Sequence, residues 1–332
     1  MPLRAVGVWV ASRLPAGWLG FLGGKRVAGA RRSGRRALGF AMTALADRVS
    51  GGAVLIFGLG YSGLAIAEAV RLAGFSVVGT TRSGAGGSIP FDAADAAIQS
   101  ATHLLTTAGP DEADDPVLVR YAAAIGAAPR LRWVGYLSST VVYGNRDGGW
   151  VDEDTPVAPS QVRGQRRVDA EDAWSQFGDR CAVDIFRLAG IYGPGRSAFD
   201  DLRAGRARRM DKPGHRFGRI HRDDIAQAVV AAMRQDRQAG RRVLNLADDE
   251  PSESAAVVTE AASLLGVAPP PFVAFDDALP GMSPMARSFW AENRRVASTR
   301  SKAALGIEWL YPTYREGLRA ILAKERGNGL AE

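Results

Sequence analysis

Three clusters of residues in this 332-residue chain have the types and spacing to do chemistry. The first is Gly58-Leu59-Gly60-Tyr61-Ser62-Gly63. In such a Gly-x-Gly-x-x-Gly loop the first glycine permits a tight turn and the second lets the backbone approach a pyrophosphate. The third lets the following helix pack closely on the preceding strand, and the helix N-terminus adds amide donors and a positive dipole. The second cluster, Thr81-Arg82-Ser83, follows where an acid would meet a free ribose 2′-hydroxyl, about 20 residues beyond such a loop. No acid occurs between Glu68 and Asp92. Arg82 suits a 2′-phosphate, so the expected cofactor is NADP, with NAD second; the plain alternative is a solvated loop arginine. The third cluster is Arg163-Gly164-Gln165-Arg166-Arg167. Its guanidinium groups suit a phosphate or carboxylate clamp, or equally a solvated helix face.

These clusters need elements to position them. Residues 53–57 form an uninterrupted apolar run, the pattern of a strand buried on both faces. Helical spacing follows to Gly74, and 76–80 is a second buried strand, completing a strand–turn–helix–strand unit. The alternation predicts further strands over 102–107, 132–138, 182–188 and 243–246. Helices are predicted over 116–125, 168–177, 223–233 (capped by an aspartate), 255–265 and 314–322. The expected fold class is α/β: a doubly wound parallel sheet of Rossmann type with a smaller C-terminal substrate lobe, ligands binding outside the carboxyl ends of the strands. Residues 1–50 form a basic N-terminus, disordered or over-extended. Residues 51–195 form the dinucleotide-binding core, and 196–332 complete the sheet and form the lobe.

The net charge of +7 is a property of that N-terminus. Residues 1–46 hold eight basic residues and no acid, leaving 34 basic against 35 acidic residues in the remainder. The body is nearly neutral, so no nucleic-acid partner is expected. Its leading apolar stretches fall short of the ~20 residues that span a bilayer, and no membrane association is expected. The single cysteine, Cys181, excludes an intrachain disulfide and fits a reducing, cytoplasmic compartment as a small buried hydrophobe. His103, His215 and His221 have no ligand spacing, so no metal is expected.

Four segments together resemble the extended, NAD-dependent epimerase/dehydratase-like branch of the short-chain dehydrogenase/reductase superfamily. They are the loop at 58–63, Leu137-Ser138-Ser139-Thr140-Val141-Val142-Tyr143-Gly144, Arg187 to Gly195, and Arg219-Ile220-His221-Arg222-Asp223-Asp224. With the ending Tyr311 to Leu318, the loop looks most like the atypical YeeZ-type subgroup. The resemblance implies a cofactor set of Gly58, Gly60, Tyr61, Ser62, Gly63, Arg82, Ser83, Thr107, Ser138 and Tyr192. It implies Ser139, with Thr140 beside it, at the catalytic hydroxyl position at the end of a central strand. Alternatively, Ser138 to Thr140 satisfy backbone groups there.

The departure from the family lies at its Tyr-x-x-x-Lys relay. Counting back from Glu171, the tyrosine position falls on Arg163 and the lysine position on Arg167, and no tyrosine lies between Tyr143 and Tyr192. A guanidinium stays protonated and cannot shuttle a proton as a tyrosine beside a lysine does. The active site is therefore atypical. Tyr143 is the first substitute phenol, though more in keeping with a wall of the pocket. The expected activity is an NAD(P)-binding oxidoreductase or epimerase-like hydride transfer on a small molecule, with an anionic group allowed and a homodimer allowed. The alternative is a non-catalytic NADP-binding sensor or scaffold. A sugar-nucleotide epimerase with the usual relay is disfavoured by the loss of that relay.

Overall fold

The computed structural model describes residues 51–112 and 114–328; the expectations for residues 1–50 lie outside them. The apolar run reaches full strand length as β1 (Gly51–Phe57). It passes through the glycine loop into α1 (Tyr61–Leu72) and returns as β2 (Phe75–Thr81). Two-residue β3 (Ile89–Pro90) forms the sheet edge. Then come α2 (Asp95–Ser100), β4 (His103–Thr106), α3 (Pro116–Ala127), β5 (Trp133–Ser139), β6 (Trp150–Val151), α4 (Val162–Ser175) and β7 (Ala182–Leu188).

The chain continues through β8 (Gly190–Tyr192), α5 (Ala198–Arg203), β9 (Arg209–Asp211), β10 (Arg219–His221) and α6 (Arg222–Met233) before β11 (Gly240–Leu246). It ends with α7 (Ser254–Leu265), β12 (Phe272–Ala274), α8 (Phe275–Ala278), α9 (Pro284–Trp290), β13 (Arg295–Val296), α10 (Thr299–Leu305) and α11 (Tyr314–Asn328).

The seven-stranded sheet has the order β11-β7-β5-β4-β1-β2-β3, with every pair parallel. Residues of β1 alternate between its two faces, which is why the run is apolar throughout. Val54 and Ile56 pack with Ile66 and Val70 of α1 and with Ile225 and Val229 of α6. Leu55 and Phe57 pack with Ile98 of α2, Tyr121 of α3 and Trp174 of α4. Each such fully buried side chain contributes roughly 1.5–3 kcal/mol of transfer free energy. Successive strands lie on opposite sides of β1, so the crevice at the β1–β4 boundary opens above the carboxyl ends.

The short pairs β8–β10, β9–β12 and β6–β13 build the region that faces that edge. No described helix is long and apolar enough to cross a membrane.

Two local expectations are corrected. Helix α4 begins at Val162 rather than at residue 168, so all three arginines of the third cluster are helical. Its N-cap, Gln161, makes no side-chain capping bond and Val162 is exposed, so neither a capping residue nor apolar periodicity marks the start. Helix α6 is capped by His221, whose Nδ1 accepts the Asp223 amide N–H at 3.1 Å, and not by an aspartate. Asp224 is buried, and its carboxylate accepts the amide N–H groups of Leu310 at 2.6 Å and Tyr311 at 3.3 Å.

Candidate functional site

The glycine loop has the close packing its spacing calls for. Gly58 has φ +93°, a left-handed conformation that disfavours side chains. A Cβ on Gly63 would lie 2.1 Å from the Gly58 carbonyl oxygen, so helix and turn meet only because that atom is missing. Gly60 differs: a Cβ there would meet nothing within 4 Å. Gly60 also caps α1 without a side-chain bond, and the first turn carries no acid. The leading amides of the helix thus face open space with no side-chain acceptor, which fits a pyrophosphate.

Neighbours hold the loop in place. The Gly58 amide donates to Thr80 Oγ1 at 3.2 Å, and the Thr107 hydroxyl donates to the Gly58 carbonyl at 2.6 Å. Thr107 therefore acts on the loop from the neighbouring strand end. Ser62 lies part-buried in the first turn of α1. Tyr61 reaches across: its hydroxyl donates to the Pro194 carbonyl at 3.1 Å. The Arg222 and Arg196 guanidinium groups lie 4.9 and 5.6 Å from its ring centroid. Arg82 and Ser83 are exposed just beyond β2. Thr81 is occupied in the turn, sharing a bond with Ser88 and accepting the Gly84 amide N–H.

Beside this crevice lies a cavity of about 600 Å³ whose walls include Ser139, Thr140, Arg163, Arg167 and Tyr192. Residues of the second and third clusters are thus split. Arg82 is exposed beyond β2 and outside the cavity lining, whereas Arg163 and Arg167 line the cavity. Ser139 ends β5 with its Oγ accepting the Val141 amide N–H at 3.3 Å, a long bond that leaves the hydroxyl proton uncommitted. Ser138, expected among the cofactor contacts, is instead buried and donates to Glu171 Oε1 at 2.6 Å. Side chains alternate along a strand, so neighbouring serines serve opposite faces.

Tyr143, expected as a pocket wall or substitute relay, does not line the cavity. It is fully buried outside the cavity lining, donates to Asn245 Oδ1 at 2.7 Å, and lies under the Arg187 guanidinium at 4.8 Å. Burial raises its phenol above the ordinary value, the opposite of what a relay needs. Tyr192 lines the cavity with its ring but turns its hydroxyl into the core: a Cβ on Gly317 would lie 2.0 Å from that oxygen.

The arginines play unequal parts. Arg167 is a strut: its Nη1 donates to the Leu137 carbonyl at 2.9 Å and the Tyr136 hydroxyl at 3.0 Å. Its Nη2 is pressed against Gly109, where a Cβ would sit 2.1 Å away. Arg163 stacks over Phe289 at 4.3 Å, and its buried Nε has no hydrogen-bond partner. Burial pulls its guanidinium below the ordinary value, with Glu292 opposing the shift. Arg166 is part-buried on the same helix and is not among the lining residues.

Reading the sequence missed Arg216, Arg219, Arg294 and Glu292, which come from separate segments and converge on the same cavity. Among the described residues Glu292 is the only carboxylate lining it; it accepts from the Ser160 hydroxyl at 2.6 Å and from Arg294 Nη1 at 2.7 Å. Phe217, Phe289 and Trp290 supply aromatic walls. Only Arg219, the first residue of the recognised segment at 219–224, and Arg216 just before it carried any signal in the sequence.

The comparisons agree with this fold. No family model matches the chain. It is 26% identical over 282 residues to protein YeeZ of Escherichia coli strain K12, covering 78% of this chain and 96% of that protein. A solved structure of a functionally unknown conserved protein from Silicibacter pomeroyi is 43% identical, with a TM-score of 0.76 and coverage of 82% of this chain and 99% of that one. A candidate NAD-dependent epimerase/dehydratase from Methylobacillus flagellatus is 25% identical, with a TM-score of 0.63 and coverage of 83% and 99%. The human epimerase family protein SDR39U1, solved with NADPH, shares the fold at 21% identity and a TM-score of 0.69, covering 81% and 98%. With its parallel sheet order and its glycine loop, the chain shares the Rossmann-type fold of these proteins and resembles the NAD-dependent epimerase/dehydratase-like branch of the short-chain dehydrogenase/reductase superfamily.

Proposed function

We propose that the chain binds NADP and acts by hydride transfer on a small molecule carrying a carboxylate or phosphate. The observation that carries this reading is the cavity itself: Ser139 and Thr140 line it, and among the described residues five arginines share its lining with one carboxylate. The bound nicotinamide would supply or take the hydride. Gly58, Gly60 and Gly63 with the leading amides of α1 would hold its pyrophosphate, and Arg82 its 2′-phosphate. The human relative solved with NADPH is consistent with that choice of cofactor.

Ser139 is positioned to donate to the oxygen on which charge develops, and Arg163 to hold the anionic end of the substrate through its free Nε and terminal nitrogens. Neither Arg163 nor Arg167 can move a proton at neutral pH, so the proton travels between the Ser139 hydroxyl and solvent.

The test is a panel of carboxylated and phosphorylated aldehydes and ketones, with neutral analogues, followed at the NADPH absorbance. Turnover of anionic members, falling about 100- to 1000-fold in Ser139→Ala, supports the reading. Normal turnover in Ser139→Ala removes the assignment of that residue. Arginines at both relay positions favour a second reading, a non-catalytic NADP-binding sensor or scaffold. Tight NADPH binding without turnover of any panel member gives that reading the lead.

A further inference from the structure

A second cavity, of about 460 Å³, lies in the C-terminal lobe, and it shares only Tyr192, Arg219 and Ser254 with the first. Arg219 is the common wall. Its Nη1 donates to the carbonyls of Phe217 at 3.0 Å and Ser252 at 3.2 Å, and it makes no ion pair among the described residues. The carboxyl beside it, Asp248, meets its backbone and not its guanidinium: Asp248 Oδ1 accepts the Arg219 amide N–H at 3.4 Å. Burial pushes Asp248 up to about 8 against the pull of Arg219, and its Oδ2 has no hydrogen-bond partner. A part-buried guanidinium that lines two cavities and makes no ion pair among the described residues can take an anion from either.

The rest of the lobe cavity suits an anion. Arg208 lines it with no ion pair among the described residues, whereas Arg206 is partly neutralised by Asp201 at 3.1 Å and Asp200 is held by Ser197 in the cap of α5. Tyr314 lines it too; the residue is fully buried, and its hydroxyl has no hydrogen-bond partner. Ser254 opens α7, a helix of 12 residues with no side-chain cap, so the leading amides of that helix also lie at the wall. A buried phenol without a partner normally marks a polar ligand or water, because leaving it unpaired is costly.

We propose that this lobe cavity is a second anion site that takes a phosphate group, held by Arg208 and Arg219 with the Tyr314 hydroxyl, and separate from the cavity beside Ser139. The site stands whether or not the protein turns over a substrate. Titration of the full chain with inorganic phosphate, read by calorimetry, tests it. Saturable binding is expected to persist when the dinucleotide loop is filled with NADPH and in Arg294→Ala, whose side chain lines the other cavity. It is expected to weaken about tenfold in Arg208→Ala, an exposed residue whose removal does not threaten the fold, and similarly in Tyr314→Phe. Wild-type affinity in Arg208→Ala overturns the proposal whatever Tyr314→Phe does. So does competition by NADPH, loss in Arg294→Ala alone, or the absence of saturable binding.

Discussion

Arg187 Nη2 lies 2.7 Å from Glu171 Oε2 with both side chains buried, so strand β7 and helix α4 are joined by an ion pair inside the protein. Ser138 donates to the same carboxylate from β5. The helix that carries Arg163 and Arg167 is thereby fixed to the two strands flanking the cavity. A single change that leaves one charge unpaired is far more damaging than removal of both. Glu171→Ala is expected to cost about 3–5 kcal/mol, read from the midpoint of urea unfolding. The double replacement Glu171→Met with Arg187→Met is expected to cost less than Glu171→Ala alone, and a larger loss would contradict this account of the pair.

The glycines of the phosphate loop are expected to fail in different ways. Gly63→Ala forces a Cβ into the Gly58 carbonyl, so the melting temperature should fall and NADPH binding should vanish with it. Gly60→Ala meets no protein atom, so the fold should keep its melting temperature while NADPH binding weakens. Equal effects on stability would show that the open space above Gly60 is not where the cofactor approaches.

Arg82→Ala is expected to weaken NADPH by about 1.5–3 kcal/mol, the range of a charge-assisted contact, and to leave NADH nearly unchanged. Fluorescence titration with each nucleotide makes the comparison. Parallel losses for both would assign Arg82 to the solvated loop rather than to the 2′-phosphate.

Tyr143→Phe separates stability from chemistry. It leaves Asn245 Oδ1 without its donor, at a cost of about 1–3 kcal/mol for a buried unsatisfied group. Because the phenol lies outside the cavity lining, the rate on any substrate found should be unchanged at temperatures where the variant is folded. A selective loss of turnover with intact NADPH binding would return the relay to this residue.

Stability should decline as the pH rises from about 6.5 to about 8.5. Burial pushes Asp224 up to about 7 and Asp248 up to about 8, so in this range the folded protein binds more protons than the unfolded chain. A raised carboxyl stabilises fully below its unfolded value and loses that contribution as pH climbs through its folded value. Below about 6.5 the opposite slope enters, because burial holds His103 and His215 down to about 4 and keeps them neutral in the fold. Urea midpoints across this range should show the fall, and Asp248→Asn should flatten its upper part. A profile that rises toward pH 8.5 would contradict the burial assigned to these carboxyls.

What the sequence disclosed follows from where its physics is local. Strands buried on both faces, such as Val54 to Phe57 and Ala182 to Leu188, announce themselves as apolar runs. The glycine loop is legible because its constraints act between near neighbours. Helix α4 started unseen because Gln161 and Val162 carry neither cap nor buried periodicity. The cap of α6 was misassigned because an imidazole nitrogen did the work usually given to an aspartate. Arg294 and Glu292 could not be read at all. Their meaning depends on Gly144 and Ser160, whose sequence separations from them exceed a hundred residues. The buried placement of Ser138 and Tyr143 was hidden for a similar reason, since Glu171 and Asn245 claim their hydroxyls through tertiary packing.

The position of β11 at one edge of the sheet bears on synthesis at the ribosome. It pairs with β7 over Ala182 to Leu188, yet α5, the lobe strands β8, β9 and β10, and α6 all emerge between the two. Leu305 and Trp309, which complete the core on the same face as α6, emerge later still. A nascent chain halted after β7 therefore exposes an unpaired parallel edge and an uncovered apolar face, both prone to association. The lobe is an excursion from the sheet rather than an appended module, so cutting the chain near residue 195 should yield two insoluble fragments, not two domains.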